Sequence, residues 1–337
     1  MFSTKLCFSK FKLLCVFTVV LFLLCGAFAL GSEKPEEEAL SEDAVHLGFV
    51  LPQLRNPFWV PVEYGARQAA KDLGVRLEYL GPAKFDPQQQ IAMIESLIEK
   101  GVDGLIIICL TPGQMTPIIN KAVDMGIPTV TTNNDAPDSK RIFFSGADLY
   151  NEGQVQAKTL KDYLEAHGIK KKVRVAITEC VFGDFALQQR VNGFKDGIST
   201  VPNIEVIQEY DSGLDTAKNF SVIENVFAAN PDLGAHYGTC AVDTRNGGEM
   251  VKRSGRDVIA FGHDLLPETL DLIKKGYTKW TLGQDPYNQG YFPVKALYVH
   301  IAEGKPLPQG FVRMNMEMVT TENVDYYIER ESIYYTK

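Results

Sequence analysis

The sequence has few of the side chains from which metal centres and nucleophilic active sites are built. It contains five histidines and six cysteines in 337 residues, with no C-x-x-C pair and no two histidines four residues apart. The G-x-S-x-G, P-loop, H-E-x-x-H and G-x-G-x-x-G motifs are also absent. These absences argue against a metal site and against the enzyme classes that those motifs identify. We therefore expect neither a bound metal nor a cofactor.

The chain also lacks an excess of positive charge. Its 34 Lys and Arg residues are outnumbered by 42 Asp and Glu residues, which gives a formal net charge of −8 at pH 7. Nucleic-acid binding requires a basic surface that neutralises phosphates. An acidic chain of this kind is therefore a poor candidate for a nucleic-acid partner.

Long apolar runs are missing apart from one short run near the start. Residues 13–25 are almost wholly apolar and follow three lysines, but the run is shorter than the roughly 20 residues that span a membrane. Residues 27–29 read Ala-Phe-Ala, a small-residue cleavage pattern. They predict a signal peptide over residues 1–29, cleaved after Ala29, and hence export to the periplasm. The glutamate-rich residues 30–44 are predicted to be a solvated tether.

Three cysteines follow the predicted signal peptide: Cys109, Cys180 and Cys240. An oxidising compartment allows a disulfide. Cys180 and Cys240 end two predicted strands that a doubly wound sheet would place side by side. A Cys180–Cys240 disulfide and three buried free thiols are both compatible with the sequence.

Beyond residue 45 the apolar pattern alternates between short strands and amphipathic helices. The aliphatic run at residues 104–108 is typical of a parallel strand that is covered on both faces. The alternation occurs twice, once before Asp148 and once after it, and it predicts an α/β fold with two doubly wound parallel sheets. The predicted strands are 45–51, 75–80, 104–108, 127–131, 142–145, 173–178, 204–210, 235–238, 258–261 and 279–282, with two short strands near 311–319. The predicted helices are 57–73, 87–100, 112–125, 150–167, 185–198, 215–229, 242–253, 267–275 and 288–303.

Polar and aromatic side chains follow several of the predicted strands. Ligands of open parallel sheets bind beyond the carboxyl ends of the strands. We therefore expect Asn56-Pro57-Phe58-Trp59, Gly262-His263-Asp264 and Gln284-Asp285-Pro286 to face one crevice. Aromatic rings pack against the C–H face of a sugar, while amides and carboxylates bind its hydroxyls. This is the chemistry of holding a polyol.

A sugar-active enzyme is the alternative from another functional class. Asp184 and Asp264 both follow predicted strands, and two carboxylates that flank a glycosidic bond are the machinery of glycoside hydrolysis. Nothing in their spacing requires this interpretation. His263, as an isolated imidazole, is expected to be a hydrogen-bonding or packing group. We predict that the protein is not an enzyme.

These segments resemble the type I periplasmic solute-binding proteins, in particular the ribose-binding-protein-like cluster of sugar ABC transporters. The resemblance covers nearly all of the chain after the predicted tether, and it rests on six markers in the family's order and spacing. They are Asn56-Pro57-Phe58-Trp59, Gly101-Val102-Asp103-Gly104-Leu105-Ile106-Ile107, Gly126-Ile127-Pro128-Thr129-Val130, Arg190-x-x-Gly193-Phe194, Gly262-His263-Asp264 and Gln284-Asp285-Pro286.

The family fold implies two lobes that a three-crossing hinge joins and that close on the ligand. The crossings are expected near Asp148, Gln284 and Met314. The first lobe would comprise residues 45–147 and 285–313, and the second lobe residues 148–284 and 314–337.

The resemblance also implies a set of ligand-contacting residues. Asn56 would hydrogen-bond the ligand, and Phe58 and Trp59 would stack on it. Arg190 would donate to ligand oxygens from its guanidinium fork. The remaining expected contacts are Asn133, Asn134, Asp135, Asp264 and Gln284.

Structural interpretations of the same residues stay open. Phe58 and Trp59 could pack at a helix start, and residues 133–135 could form a turn. Arg190 could form a salt bridge between the lobes. Asp285 and Pro286 are expected to be the cap and first turn of a helix.

The resemblance predicts a monomeric periplasmic binding protein that captures a small neutral sugar or polyol and delivers it to the permease of an ABC transporter. The alternative is a sensory binding protein that reports a sugar-like ligand to a membrane receptor kinase or chemoreceptor. Cys109 and Thr239-Cys240 stand where relatives often have Asn or Asn-Asp, and Asn133 stands where an Asp is common, so fewer charged acceptors line this cleft than one for ribose. Another monosaccharide, a cyclic polyol and a furanose-like signal molecule are the ligands left open.

Overall fold

A computed structural model describes residue 41 and residues 43–335 of the chain. The predicted signal peptide and nearly all of the predicted tether lie outside the described residues. The described part contains twelve strands and ten helices. None of the helices in this part combines the length and the apolar character that a membrane crossing requires.

Strands and helices alternate along the chain, as the sequence predicts. In chain order they are β1 (His46–Val50), α1 (Trp59–Leu73), β2 (Arg76–Leu80), α2 (Pro87–Glu99), β3 (Gly104–Ile107), α3 (Pro112–Asp124), β4 (Thr129–Thr132), β5 (Phe143–Gly146), α4 (Leu149–Ala166), β6 (Val173–Glu179), α5 (Phe185–Ile198), β7 (Ile204–Asp211), α6 (Thr216–Ala229), β8 (Leu233–Gly238), α7 (Ala241–Ser254), β9 (Ile259–His263), α8 (Pro267–Lys274), β10 (Thr278–Gly283), α9 (Pro286–Glu303), β11 (Gly310–Arg313), β12 (Glu317–Thr320) and α10 (Val324–Tyr335).

Two six-stranded sheets of matching topology form the two lobes. The first sheet has the order β2-β1-β3-β4-β5-β11 and the second β7-β6-β8-β9-β10-β12. All pairs are parallel except β10 with the edge strand β12, which is antiparallel. The chain crosses between the sheets three times, after β5, after β10 and after β11, which confirms the predicted hinge. In each sheet the strand order reverses once, between β1 and β3 and between β6 and β8, and such a switch point is where ligands bind.

Apolar side chains cover both faces of each sheet. Along β1, Phe49 packs into a cluster with α1 and α9, whereas its neighbour Val50 packs into a cluster with α2 and α3. All five residues of β1 are buried, as expected of a parallel strand between two helical layers. In the second lobe, Ile177 packs with α4 and α5, and Ala176 packs with α6 and α7.

Glycines allow two helix pairs to approach closely. A Cβ atom at Gly153 of α4 would collide with the backbone carbonyl of Arg190 on α5, and one at Gly193 would collide with the carbonyl of Tyr150. In the first lobe, Gly290 of α9 lies against the backbone of α1 in the same way. The close packing of α4 and α5 brings the side chains beside these glycines together, and it matters for the site described below.

Two features differ from the predicted elements. The helix predicted from residue 57 begins at Trp59, because the Asn56 side chain accepts the backbone N–H of Phe58 at 3.0 Å and turns the chain first. Helix α10 was not predicted. Its buried residues are only Val324 and Glu331, and Tyr327 and Ile328 are partly buried beside Val324, so its apolar stripe is shorter than the one from which a helix is inferred.

The structure joins Cys180 and Cys240 in a disulfide, with Cα atoms 6.5 Å apart, and leaves Cys109 as a buried free thiol. This selects one of the two arrangements that the sequence left open. Cys180 follows β6 and Cys240 follows β8, so the bond bridges the switch point of the second lobe.

We expect the Cys180→Ser/Cys240→Ser variant to lose about 4 kcal/mol of unfolding free energy, because the bond constrains a loop of about 60 residues in the unfolded chain. Chemical denaturation of the mature protein without reductant measures the difference. A Cys109→Ala control should respond to added reductant as the wild type does. Three reactive thiols in the denatured, unreduced mature protein would contradict the bond.

Candidate functional site

A cavity lies between the lobes, beyond the carboxyl ends of the central strands. Its empty space, the open mouth included, is about 600 Å³. Eight of the nine residues singled out from the sequence line it: Asn56, Phe58, Trp59, Asn133, Asn134, Arg190, Asp264 and Gln284.

Asp135 is the exception, because it is not among the residues that line the cavity. Its carboxylate accepts two hydrogen bonds from Arg141, each at 2.6 Å, and a third from the Thr131 hydroxyl at 2.6 Å. Asn133 has a φ of 62° and turns the chain at this point. The turn directs Asp135 toward its own lobe, where Arg141 compensates its charge, and not into the cavity.

The first loop contributes two aromatic rings from the first lobe. Phe58 and Trp59 are in edge-to-face contact with centroids 4.9 Å apart, and both are buried in the first-lobe core. The two interpretations of this pair therefore coexist, since the rings pack at the start of α1 and also line the cavity. The Trp59 Nε1–H is buried and has no hydrogen-bond partner within the described chain.

A chain of amides connects the two lobes through the hinge. Asn133 Nδ2 donates to Gln289 Oε1 at 2.8 Å and to Gln284 Oε1 at 3.3 Å. Gln289 Nε2 also donates to Gln284 Oε1, at 3.0 Å, so Gln284 Nε2 is left to donate to Asp264 Oδ1 at 2.8 Å. Asn133 and Asp264 both have positive φ angles, which asparagine and aspartate adopt more readily than most residues. The network orients each amide and holds Asp264 at the cavity.

Arg190 is a buried guanidinium on α5 with one nitrogen to spare. Its Nε donates to Glu152 Oε2 at 2.7 Å, and its Nη1 donates to the Thr239 carbonyl at 2.7 Å. The third nitrogen, Nη2, has no partner among the described residues. Glu152 lies on α4 of the same lobe, so this ion pair is not the interlobe salt bridge that was the alternative interpretation.

Burial and neighbouring charges shift the pKa values of the ion pair and of the histidine beside it. Burial raises the pKa of Glu152 to about 7, while Arg190 acts in the opposite direction. Burial alone would lower the pKa of Arg190, but Glu152 and Asp264 outweigh it and raise that pKa. His263 lies behind the pair and bonds Tyr237 through Nε2 at 2.8 Å. Burial, with Arg190 nearby, keeps the pKa of His263 well below its usual value, so it is a neutral hydrogen-bonding group, as expected.

Asp184 is a cavity residue for which the sequence suggested only the hydrolase alternative. One carboxylate oxygen, Oδ1, accepts the Leu187 N–H at 3.0 Å and caps α5. The other, Oδ2, is buried and has no partner among the described residues. Burial raises the pKa of Asp184 to about 6. Its position in the loop after β6, at the start of α5, was the available signal.

The outer wall of the second lobe is aliphatic. The Cys180–Cys240 disulfide, Leu214 and Val242 line the cavity beyond β6, β7 and β8, which are the strands farthest from the hinge strand β10 in the sheet. Leu214 and Val242 were not among the predicted site residues, because apolar side chains after a strand carry no distinctive signal. This wall is apolar around the disulfide, although Asp184 also follows β6.

One group of potential metal ligands occurs in the part of the chain that the structure describes, namely Cys180, Cys240 and Asp243. Both sulfur atoms belong to the disulfide. Because a disulfide offers no thiolate, this group does not form a thiolate metal site.

Comparison with known proteins shows extensive similarity. Residues 47–306 match the family model described as a periplasmic binding protein domain. The xylose/arabinose-binding protein XylF of Sulfolobus acidocaldarius is 24% identical over 297 residues, which cover 83% of this chain and 72% of that protein.

Two solved structures share the fold over almost their whole length. GanP, a glucose-galactose binding protein from Geobacillus stearothermophilus, is 30% identical with a TM-score of 0.76, covering 84% of this chain and 99% of its own. An ABC transporter solute-binding protein from Burkholderia graminis C4D1M, solved in complex with D-arabinose, is 25% identical with a TM-score of 0.78. That match covers 85% of this chain and 98% of the other.

We expect Arg190→Ala to lower the free energy of unfolding by about 3–5 kcal/mol, because it leaves the Glu152 carboxylate buried and unpaired. The Glu152→Leu/Arg190→Met variant removes both charges and should recover most of the loss. Urea denaturation near pH 8, above the pKa of about 7 that Glu152 has beside Arg190 in the wild type, compares the three proteins.

The exposed pair Arg67–Glu63 provides the matched control. Arg67→Ala should change the unfolding free energy by less than about 1 kcal/mol, as for surface ion pairs generally. If the double variant were as unstable as Arg190→Ala alone, the ion-pair explanation would be wrong.

Proposed function

Since this chain belongs to the periplasmic binding protein family, we propose that it binds a small neutral sugar or polyol between its lobes and delivers it to the permease of an ABC transporter. It acts in the periplasm after cleavage of its signal peptide at Ala29. The lobes, residues 45–147 with 285–313 and residues 148–284 with 314–337, close on the ligand about the three crossings.

One observation supports this function above all: buried polar atoms without partners among the described residues belong to side chains that line a single cavity from both lobes. Trp59 Nε1 belongs to the first lobe, and Arg190 Nη2 and Asp184 Oδ2 belong to the second. A buried polar group without a partner costs about 1–3 kcal/mol. Hydroxyls can both donate and accept, so one polyol can satisfy two donors and an acceptor at once. Such a ligand is fully bonded only when both lobes surround it.

The charges of the cavity favour a neutral ligand. The Glu152 carboxylate compensates the charge of Arg190 at 2.7 Å. Asp184 and Asp264 add carboxylates that would repel an anion. Burial raises the pKa of Asp264 above its usual value, which reflects the cost of an ionised carboxylate here. Hydroxyls that donate to these carboxylates lower that cost without bringing a charge of their own.

The names of the similar proteins also favour sugar binding and transport. XylF is named as a xylose/arabinose-binding protein, GanP as a glucose-galactose binding protein, and the Burkholderia protein contains D-arabinose. That last protein is a solute-binding protein of an ABC transporter, which favours transport over a sensory role. We propose that the protein acts as a monomer and releases its sugar unchanged.

A thermal-shift screen tests this proposal. The panel contains D-ribose, D-arabinose, D-xylose, D-allose, D-glucose and D-galactose, together with cyclic polyols. A ligand that binds only the folded state raises the unfolding temperature in a concentration-dependent way. Radiolabelled sugar should be recovered unaltered after incubation. Failure of every compound to stabilise the protein, or the appearance of a reaction product, would refute the proposal.

We expect Trp59→Phe and Asp264→Asn each to weaken binding of the best panel sugar by about tenfold. Trp59→Phe removes the indole N–H donor together with part of the ring, and Asp264→Asn replaces a charged acceptor by a neutral one of the same shape, each costing about 1–1.5 kcal/mol. Titration calorimetry measures the affinities. Asp271→Asn, on the exposed face of α8 in the same lobe, is the control and should bind as the wild type does. Wild-type affinity in both cavity variants would mean that the site is misplaced.

We expect the affinity to rise as the pH is raised from about 5 to about 7. A ligand hydroxyl that donates to Asp184 Oδ2 favours the ionised carboxylate and lowers its pKa from about 6, so binding releases protons in this range. Calorimetry in buffers of different ionisation enthalpy detects the protons. Asp184→Asn should abolish this part of the pH dependence.

The raised pKa of Asp184 has the opposite effect on the stability of the ligand-free protein, whose unfolding free energy falls as the pH rises. The pKa of Asp184 is higher in the folded state than its ordinary value of 3.8. The contribution of Asp184 to the unfolding free energy is therefore complete below pH 3.8 and is lost as the pH rises through about 6. The difference in unfolding free energy between wild type and Asp184→Asn should therefore vary in this window. A constant difference would contradict the assignment.

A further inference from the structure

The C-terminal helix α10 is anchored to the second lobe at its start. Val324 is 2% exposed and packs with Leu270 and Ile273 of α8. Asp325 forms an ion pair with Lys274, with Oδ1 and Nζ 2.8 Å apart. The first turn of α10 therefore moves with the second lobe.

The end of the same helix contacts the first lobe. The Tyr335 hydroxyl donates to the backbone carbonyl of Pro57 at 3.1 Å. The Tyr334 ring lies edge-on to Tyr64 of α1, with centroids 5.3 Å apart, and is 6.2 Å from the ring of Tyr287 on α9. Helix α10 thus links the lobes in addition to the three hinge crossings.

The contact falls on the loop that supplies the first-lobe half of the cavity. Pro57 lies between Asn56 and Phe58, both of which line the cavity. On its other side Phe58 lines a small second cavity, whose wall also includes Gln284 and Tyr335. The end of α10 therefore lies on the side of Phe58 that is turned away from the ligand cavity.

We propose that Tyr335 is a positioning residue of the sugar site. Its hydroxyl holds the Pro57 carbonyl and, through it, the loop that carries Asn56, Phe58 and Trp59, and α10 favours the arrangement in which both lobes face each other across the cavity. The ligand-binding part of this inference rests on the proposed function, whereas the conformational part does not.

The physical basis is that α10 has its two ends on different lobes. If the lobes separate, the start of α10 stays on α8, and the Tyr335 bond and the Tyr334 ring contact are lost together. These contacts therefore lower the free energy of the facing arrangement relative to a separated one. A ligand that binds the facing arrangement then spends less of its binding free energy on rearranging the protein.

Tyr335→Phe removes the hydroxyl and keeps the ring. We expect it to weaken binding of the best panel sugar about three- to tenfold. Tyr326→Phe is the matched control, because Tyr326 lies on the same helix, is 64% exposed and contacts Tyr327. If Tyr335 acts through the loop, its effect and that of Trp59→Phe should be non-additive in a double-mutant cycle. Equal affinity in wild type and Tyr335→Phe, or additive effects, would overturn the inference and leave the proposed function intact.

A ligand-free experiment tests the conformational part independently. Spin labels at the exposed positions Met125 in the first lobe and Lys171 in the second report the distance between lobes. We expect a longer or broader distance distribution in Tyr334→Ser/Tyr335→Ser than in wild type or Tyr326→Phe. Identical distributions would overturn this part. If no sugar stabilises the wild type, the proposed function fails, and the distance measurement alone decides the role of α10.

Discussion

The buried contact between Arg190 and Glu152 is the constraint on which the second half of the site depends. It exists because Gly153 and Gly193 let α4 and α5 pack backbone against backbone, which brings the two side chains within 2.7 Å. With Nε held by Glu152 and Nη1 by the Thr239 carbonyl, the planar guanidinium has a single orientation. Its remaining nitrogen is therefore presented to the cavity without further ordering, and such preorganisation reduces the cost of binding.

At the hinge, hydrogen bonds within the protein also fix the orientation of polar side chains. Gln284 lies where the chain leaves β10, and its oxygen receives the donors of Asn133 and Gln289 while its nitrogen holds Asp264. The amides of Asn133, Gln284 and Gln289 thus hold Asp264 in place across the hinge. The resulting cavity has polar groups at the hinge and at Arg190 and Asp184, and an apolar wall around the disulfide. A small hydroxyl-rich molecule with one less polar edge suits this distribution.

Much of the fold followed from local pattern. The aliphatic run in β3 and the strand–helix alternation predicted two parallel sheets, and both were found with element ends shifted by only a few residues. Eight of nine proposed contacts line the cavity. Most of them lie in loops after parallel strands, which share one edge, whereas Arg190 was implied by the family resemblance and reaches the cavity from α5. Asp135 does not line it, since the turn at Asn133 and the neighbouring Arg141 direct its side chain elsewhere. Helix α10 escaped prediction because its own apolar stripe is short and its end packs against rings of the other lobe.

The sequence by itself determined the class of fold and the strand ends from which a site would be built, since these depend on periodicities and turn residues that act locally, whereas the three crossings were implied by its resemblance to a family. Tertiary structure decided which atoms are available. The partners of Arg190 lie 38 and 49 positions away in the chain, the Asp184 oxygen is isolated by burial, and Tyr335 meets Pro57 across 278 positions. Contacts of that range arise only when the sheets and helices are assembled, because no local pattern specifies which distant side chain will occupy the remaining space.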